Sequence, residues 1–149
     1  MQVAEIMTRN VVSVKEDAPV PEVISLITDN EIAGVPVVND AGEVVGMVSE
    51  VDILRRMFPD YSEIINDIIG AMEYDFHDLK ICELRQCKVR DIMRKGAITI
   101  SADARVMKAC ATMVSRKIRR LPVVDPQTHK LVGIVSQGQV FREILRLAR

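Results

Sequence analysis

The chain has 149 residues, of which 48% are hydrophobic and 28% charged, and its formal net charge is −1. This composition can fill one hydrophobic core, and the sequence contains neither a signal peptide nor the run of about 18 apolar residues that a membrane span needs. Two histidines, three cysteines without metal-ligand spacing, and no Gly-rich phosphate loop predict a cytoplasmic protein that is not an enzyme and holds no metal or catalytic cofactor.

The first predicted elements are a short strand and an amphipathic helix. Alternating residues predict a strand over 11–14, and Asp17 is the predicted N-cap of the helix that follows. The apolar positions of this helix recur with helical spacing at Val20, Val23, Ile24 and Ile27. We therefore expect one face of the helix to pack on a sheet.

That sheet is supplied by the next two segments. Residues 34–38 and 44–49 alternate or run apolar on either side of a turn that contains Asn39 and Gly42, which predicts a hairpin. A second helix is predicted over 50–57. The order strand, helix, strand, strand, helix indicates a mixed α/β unit.

The segment 58–87 predicts an inserted amphipathic helix. Pro59 ends the preceding helix, and a capping-box sequence begins the next one. Its apolar stripe consists of Ile64, Ile65, Ile68, Ile69 and Met72. The opposite face is acidic, which argues against a membrane-surface helix.

The last 62 residues repeat the order of the first unit. A strand is predicted over 97–100 and a helix N-cap at Asp103, followed by strands 120–124 and 131–136 and a helix over 137–148. The apolar stripe of the first helix in this copy is Val106, Cys110, Met113 and Val114.

The two copies are an internal duplication. Ile6-Met7, Pro36-Val37-Val38 and Val48-Ser49 return as Ile92-Met93, Pro122-Val123-Val124 and Val135-Ser136, at an offset of 86 residues that becomes 87 after the second strand. We predict two β-α-β-β-α repeats, residues 1–57 and 88–149, packed in pseudo-two-fold symmetry as one compact module.

The two copies carry opposite net charges. Residues 1–87 contain 6 basic and 17 acidic residues, a net charge of −11, whereas residues 88–149 contain 14 basic and 4 acidic residues, a net charge of +10. Drift of solvated surface charge explains this asymmetry, as does a homodimer in which chains stack head to tail. The basic copy also offers cations to a phosphate.

A strand-to-helix motif carries the most specific side chains. Ser49 and Asp52 stand three residues apart where the predicted strand meets the helix, and the second copy has Ser136 and Gln139 there. A helix capping box explains both pairs. Only the first copy offers a charged acceptor at this position, because Asp52 is a carboxylate and Gln139 a neutral amide, which accepts hydrogen bonds less strongly.

Taken with the Ile-Met pairs, the Pro-Val-Val strands and the duplication, the motif over residues 46–52 resembles a tandem CBS domain pair, also called a Bateman module. The resemblance covers about residues 3–57 and 88–148. It implies clefts between the repeats that bind adenosine-containing ligands such as AMP, ADP, ATP or S-adenosylmethionine.

The resemblance also implies roles for individual residues. The Ser-x-x-acid positions hold the ribose, residues of the first and Pro-Val-Val strands enclose the adenine, and basic residues before the second strand bind phosphate. The implied set is Ser49, Asp52, Ser136, Gln139, Val12, Ser13, Thr99, Pro36, Pro122, Arg119 and Arg120. Ser13 and Thr99 equally suit an exposed strand face, and the two arginines equally suit a solvated strand end.

Three functions follow from these patterns. The favoured one is a non-catalytic regulatory module that senses an adenosine-containing ligand and signals to an effector protein in trans. The first alternative is a structural or dimerising module with degenerate clefts. The second is nucleic-acid binding through the basic half, which the 3% aromatic content disfavours because base stacking needs aromatic side chains.

Overall fold

Two β-sheets and their helices make up the fold. The computed structural model describes residues 1–57 and 81–149. The elements of the first half are β1 (Val14–Lys15), α1 (Val20–Asp29), β2 (Gly34–Val38), β3 (Val44–Ser49) and α2 (Glu50–Met57). Those that follow are α3 (Ile81–Gln86), α4 (Val89–Ile92), β4 (Arg94–Lys95), β5 (Ile100–Ser101), α5 (Val106–Arg116), β6 (Arg120–Val124), β7 (Leu131–Ser136) and α6 (Gln137–Leu147).

The mixed α/β class and the doubled β-α-β-β-α order are confirmed. One sheet has the strand order β1-β2-β3-β4, and the other has the order β5-β6-β7. Both hairpins and helix α2 have the predicted bounds, because they are set by local alternation and turn residues. The stripe predicted within 64–72 lies outside the described residues.

The predicted first strands and helix caps are wrong by several residues. The strands predicted at 11–14 and 97–100 are β1 and β5, which begin at Val14 and Ile100. The N-caps are Pro19 and Arg105, and neither caps its helix through a side chain. Asp17 and Asp103 lie instead in turns closed by the amides of Ala18 and Ala104.

A distant backbone carbonyl explains the position of each cap. The amide of Val20, the first residue of α1, donates to the carbonyl of Cys87 at 3.0 Å. The amide of Val106, the first residue of α5, donates to the carbonyl of Met1 at 3.1 Å. These carbonyls satisfy helix N-terminal amides that would otherwise need a capping side chain.

The carbonyls lie in or directly before two lead-in segments, residues 1–9 and 88–95, which precede the first strands of the two repeats: Met1 begins the first segment, and Cys87 is the residue before the second. The chain forms two compact units: a first unit of Met1–Ser13, Val38–Val45 and Gly96–Arg149, and a second unit of Val14–Val37 and Gly46–Lys95. Each lead-in segment therefore packs with the sheet of the other repeat. Thr8 pairs antiparallel with Ile134, and Arg94 pairs antiparallel with Met47.

Both units bury an apolar core that includes a valine from the lead-in segment. Val3 lies in the core of the first unit and Val89 is fully buried in the second. The first core contains Val3, Ile100, Val106, Ala109, Met113, Leu121, Val123, Val135 and Val140. The predicted burial of Val114 is wrong, since its exposure is 70%. It lies about 100° around helix α5 from the buried Met113.

The turn between β6 and β7 contains the residue that changes the repeat offset. Oδ1 of Asp125 accepts the amides of Thr128 and Gln127, both at 2.8 Å. These backbone hydrogen bonds lower the pKa of Asp125 below its ordinary value of 3.8. In the shorter turn between β2 and β3, Oδ1 of Asn39 accepts the amides of Ala41 and Glu43.

Candidate functional site

The second unit contains a buried carboxylate at the predicted ribose-binding position. Among residues 1–57 and 83–149, Asp52 is the only charged residue that is buried, with an exposure of 5%. Asp52 is the third residue of α2, and this helix begins directly after the strand that ends at Ser49. A buried carboxylate requires hydrogen-bond or charge partners to remain ionised.

Both oxygens of Asp52 have partners. Oδ2 accepts the amide of Ser49 at 2.9 Å and its hydroxyl at 3.0 Å. Oδ1 accepts Nε of Arg94 at 3.2 Å and lies 3.9 Å from Nη1 of Arg55. The carboxylate thus caps α2 through Ser49 and joins α2 to the lead-in segment through Arg94.

The first unit repeats this geometry with uncharged groups. Oε1 of Gln139 accepts the amide of Ser136 at 2.8 Å and its hydroxyl at 3.1 Å, and Ser136 accepts the amide of Gln139 at 3.3 Å. Nε2 of Gln139 donates to the hydroxyl of Thr8 at 3.0 Å. The predicted capping box is therefore complete for Ser136 and Gln139, whereas for Ser49 and Asp52 the structure gives the half in which Asp52 accepts the amide of Ser49. A Gln–Thr pair replaces the Asp–Arg pair.

The arginines predicted to bind phosphate lie in the first unit. Arg119 and Arg120 are exposed at the start of β6, and Arg120 stands opposite Ser136 in the sheet register. The equivalent residue in the second unit is Gly34, where a Cβ would lie 2.9 Å from the carbonyl oxygen of Val48. That crowding disfavours a side chain at position 34. The cation next to Asp52 in the second unit is Arg94 on β4.

The remaining predicted residues divide between the units. Pro36 lies with Ser49 and Asp52 in the second unit, whereas Pro122 lies with Ser136 and Gln139 in the first, and both prolines are buried. Three further residues belong to the first unit: Val12 and Ser13, which are half-buried before β1, and Thr99, which is exposed before β5. Their contacts with a ligand stay a prediction.

Sequence reasoning missed Arg94 and Thr8. Both follow the Ile-Met pair of their lead-in segment, and they occupy equivalent positions in the duplication. The substitution of Thr by Arg was visible in the sequence, but its partner was not, because Arg94 and Asp52 are 42 residues apart. A comparison of charged differences between the copies includes both Arg94 against Thr8 and Asp52 against Gln139, but the structure is needed to show that the two charged residues are partners.

The described residues also contain a groove next to α2. A groove of about 550 Å³ in the second unit is lined by apolar side chains of α1 and α2, including Ile24, Ile27 and Leu54, and by none of the predicted site residues. Within residues 1–57 and 81–149, no cluster of three His, Cys, Asp or Glu residues has the geometry to hold a metal ion. No helix in the same ranges is long and apolar enough to cross a membrane.

A duplicated β-α-β-β-α unit, with a serine at the end of each hairpin and Asp or Gln three residues later, defines a class of paired α/β domains. The family model for the CBS domain matches this chain twice, over residues 3–59 and 89–146. The chain therefore belongs to the CBS domain family and contains a tandem CBS pair.

Individual relatives agree with this assignment. The protein MJ1426 of Methanocaldococcus jannaschii is 33% identical over 159 residues, which cover 97% of this chain and 92% of that protein. The chloroplastic CBS domain-containing protein CBSX1 of Arabidopsis thaliana is 28% identical, and the alignment spans 99% of this chain but 65% of CBSX1.

A solved structure shows the same fold with a ligand. The crystal structure of Arabidopsis CBSX2 in complex with AMP has a TM-score of 0.72 and 29% sequence identity, and the alignment covers 99% of this chain and 98% of that one.

Proposed function

We propose that this protein is a non-catalytic regulatory module that binds an adenosine-containing ligand through Ser49 and Asp52 and passes the bound state to an effector protein in trans. The observation that carries the proposal is the buried carboxylate of Asp52 at the end of the first hairpin. A carboxylate accepts two ribose hydroxyls at once, and such charge-assisted hydrogen bonds are stronger in a buried setting. AMP in the related CBSX2 supports the ligand class.

The two copies are proposed to bind unequally. Gln139 is neutral, and its amide already donates to Thr8 while its carbonyl holds Ser136. A diol would exchange these neutral hydrogen bonds for other neutral ones and would gain no charge-assisted bond. The Asp52 position is therefore the proposed ribose site, and Arg119 and Arg120 remain candidate phosphate ligands in the first unit.

Regulation follows from differential affinity. A ligand shifts an equilibrium between two arrangements of the module only as far as it binds one arrangement more tightly. AMP, ADP, ATP and S-adenosylmethionine are the candidates.

Cys87 and Cys110 are free thiols, which suits the reducing cytoplasm that we propose as the site of action.

Thermal melting tests the proposed function. At 100 times its Kd, a specific ligand is expected to stabilise the protein by about 2.7 kcal/mol, a rise in Tm of roughly 5–10 °C. Asp52→Ala is expected to lose most of this shift, and the matched Gln139→Ala to retain it. The absence of a shift with millimolar AMP, ADP, ATP, S-adenosylmethionine or NADH would favour the structural module.

Self-association is proposed to provide the scaffold for this signal. Helices α5 and α6 of the first unit expose Met107, Val114 and Phe141 at 62%, 70% and 59%. The occupant that we propose for this face is a second copy stacked head to tail. The first unit contains 11 basic and 6 acidic residues and the second contains 9 basic and 15 acidic residues, so opposite charges would meet.

Sedimentation equilibrium tests this arrangement. We expect a dimer that weakens as the salt concentration rises, because exposed charges are screened within about 10 Å at 0.1 M salt. Phe141→Asp is expected to give a folded monomer. A dimer that resists both salt and Phe141→Asp would contradict head-to-tail stacking through this face.

A further inference from the structure

Three hydrogen bonds reach Asp52 in the structure, and a carboxylate offers about four lone-pair positions. Two of them come from Ser49 to Oδ2, and the third comes from Nε of Arg94 to Oδ1 at 3.2 Å. Nη1 of Arg55 forms an ion pair with Oδ1 at 3.9 Å, which is too long for a hydrogen bond. A ribose diol needs two acceptor positions, so at least one present partner must leave before the diol binds.

Arg94 is the partner that can leave. Its side chain is 62% exposed, whereas that of Asp52 is 3% exposed. Withdrawal of the guanidinium deprives a buried carboxylate of a cation, and an uncompensated buried charge is costly. The two ribose hydroxyls are neutral. They replace the hydrogen bond that Arg94 donates to Asp52, but they do not replace its positive charge, and the displaced guanidinium has no new partner.

In the first unit, the equivalent contact between the lead-in segment and the helix joins two uncharged side chains. Thr8 stands in place of Arg94, and Gln139 in place of Asp52, with a hydrogen bond of 3.0 Å between them. The cation and the carboxylate thus occur together in one copy and are both absent from the other. Arg94 is therefore specific to the copy that has the carboxylate of Asp52.

We propose that Arg94 makes the Asp52 site select phosphorylated adenosine over the uncharged nucleoside. The ribose displaces Arg94 from Asp52, and the freed guanidinium pairs with the phosphate of the same ligand. A phosphate accepts the planar guanidinium through two hydrogen bonds, which makes arginine well suited to this exchange. Adenosine competes for Asp52 and offers Arg94 no new partner.

This inference rests on the proposed function and names the chemical class of its ligand. It also ranks the candidates. AMP, ADP and ATP carry a phosphate on the ribose, whereas S-adenosylmethionine has a sulfonium cation next to the ribose and offers Arg94 only the carboxylate of its methionine part. The specificity residue lies on β4, outside the hairpin and helix that carry the ribose motif.

Calorimetric titration with AMP and adenosine tests the proposal. The wild-type protein is expected to bind AMP about tenfold or more tightly than adenosine, the effect of a hydrogen bond between charged groups. Arg94→Thr, which copies Thr8, is expected to reduce that preference to below about threefold and to strengthen adenosine binding. Arg94→Gln is a second variant that keeps a neutral donor, and it should behave like Arg94→Thr.

Lys95→Thr is the matched control, because it removes an adjacent exposed cation and changes the net charge equally. Its preference for AMP should remain that of the wild type. An unchanged preference in both Arg94 variants, or an equal loss in Lys95→Thr, overturns the role of Arg94 while the proposed function stands. If the wild type binds neither AMP nor adenosine, the role of Arg94 is overturned, and the proposed function is overturned as well if ADP, ATP and S-adenosylmethionine also fail to bind.

Discussion

Replacing Gly46 with alanine is expected to lower the free energy of unfolding by about 1–3 kcal/mol, because the added methyl group overpacks a strand pairing. A Cβ at this position would lie 2.6 Å from the carbonyl oxygen of Arg94 and 3.1 Å from Sδ of Met93. The carbonyl belongs to backbone that pairs with β3, so relief requires movement of the lead-in segment. Urea denaturation measures the change.

Gly133 and Gly138 provide the comparison. A Cβ at Gly133 would lie 2.6 Å from Sδ of Met7 and 2.9 Å from the carbonyl oxygen of Thr8, so Gly133→Ala should destabilise in the same way. At Gly138, in the first turn of α6, the nearest atom is Nη1 of Arg142 at 3.7 Å. Gly138→Ala should be neutral or stabilising by up to about 1 kcal/mol. Equal stabilities of the three variants would contradict the close packing of the lead-in segments.

Leu121→Ala is expected to have the largest effect on stability, a loss of about 2–5 kcal/mol in the free energy of unfolding. Leu121 is fully buried in the core of the first unit, where Val3, Val123 and Val135 are also buried. Truncation removes buried apolar area and leaves a cavity that neighbouring strands fill only in part. Chemical denaturation of the intact chain gives the difference directly.

Leu147→Ala is the control for this variant. Leu147 is the last residue of α6 and is 82% exposed, so its truncation should change stability by less than about 0.5 kcal/mol. Val3→Ala measures the contribution of the first lead-in segment to the same core. A loss below about 1 kcal/mol for Leu121→Ala would show that the core is not packed as described.

Local patterns predicted the hairpins and the second helix of each repeat, because turn residues and alternation act within a few positions. The starts of α1 and α5 were not predictable in the same way. Their first amides are satisfied by the carbonyls of Cys87 and Met1, and a backbone carbonyl leaves no side-chain signature in the sequence. The exchange of lead-in segments between repeats was missed for the same reason.

In the candidate site, too, contacts between residues close in the sequence were predictable and contacts between distant residues were not. The capping geometry of Ser49 with Asp52 and of Ser136 with Gln139 was predictable, since both partners lie within one helical turn. The contact of Gln139 with Thr8 joins residues that are 131 positions apart. It depends on the placement of the lead-in segment, and that placement follows from packing against the other repeat.

The central claim is that the carboxylate of Asp52 holds the ribose of an adenosine-containing ligand. The most direct measurement is a calorimetric cycle with AMP and 2′-deoxy-AMP on the wild-type protein and on Asp52→Asn, which keeps a polar group as partner for Ser49. We expect the wild type to bind 2′-deoxy-AMP about tenfold or more weakly than AMP, and Asp52→Asn to bind the two with nearly equal affinity. The same preference for AMP in both proteins would contradict the assignment of Asp52 as the ribose ligand.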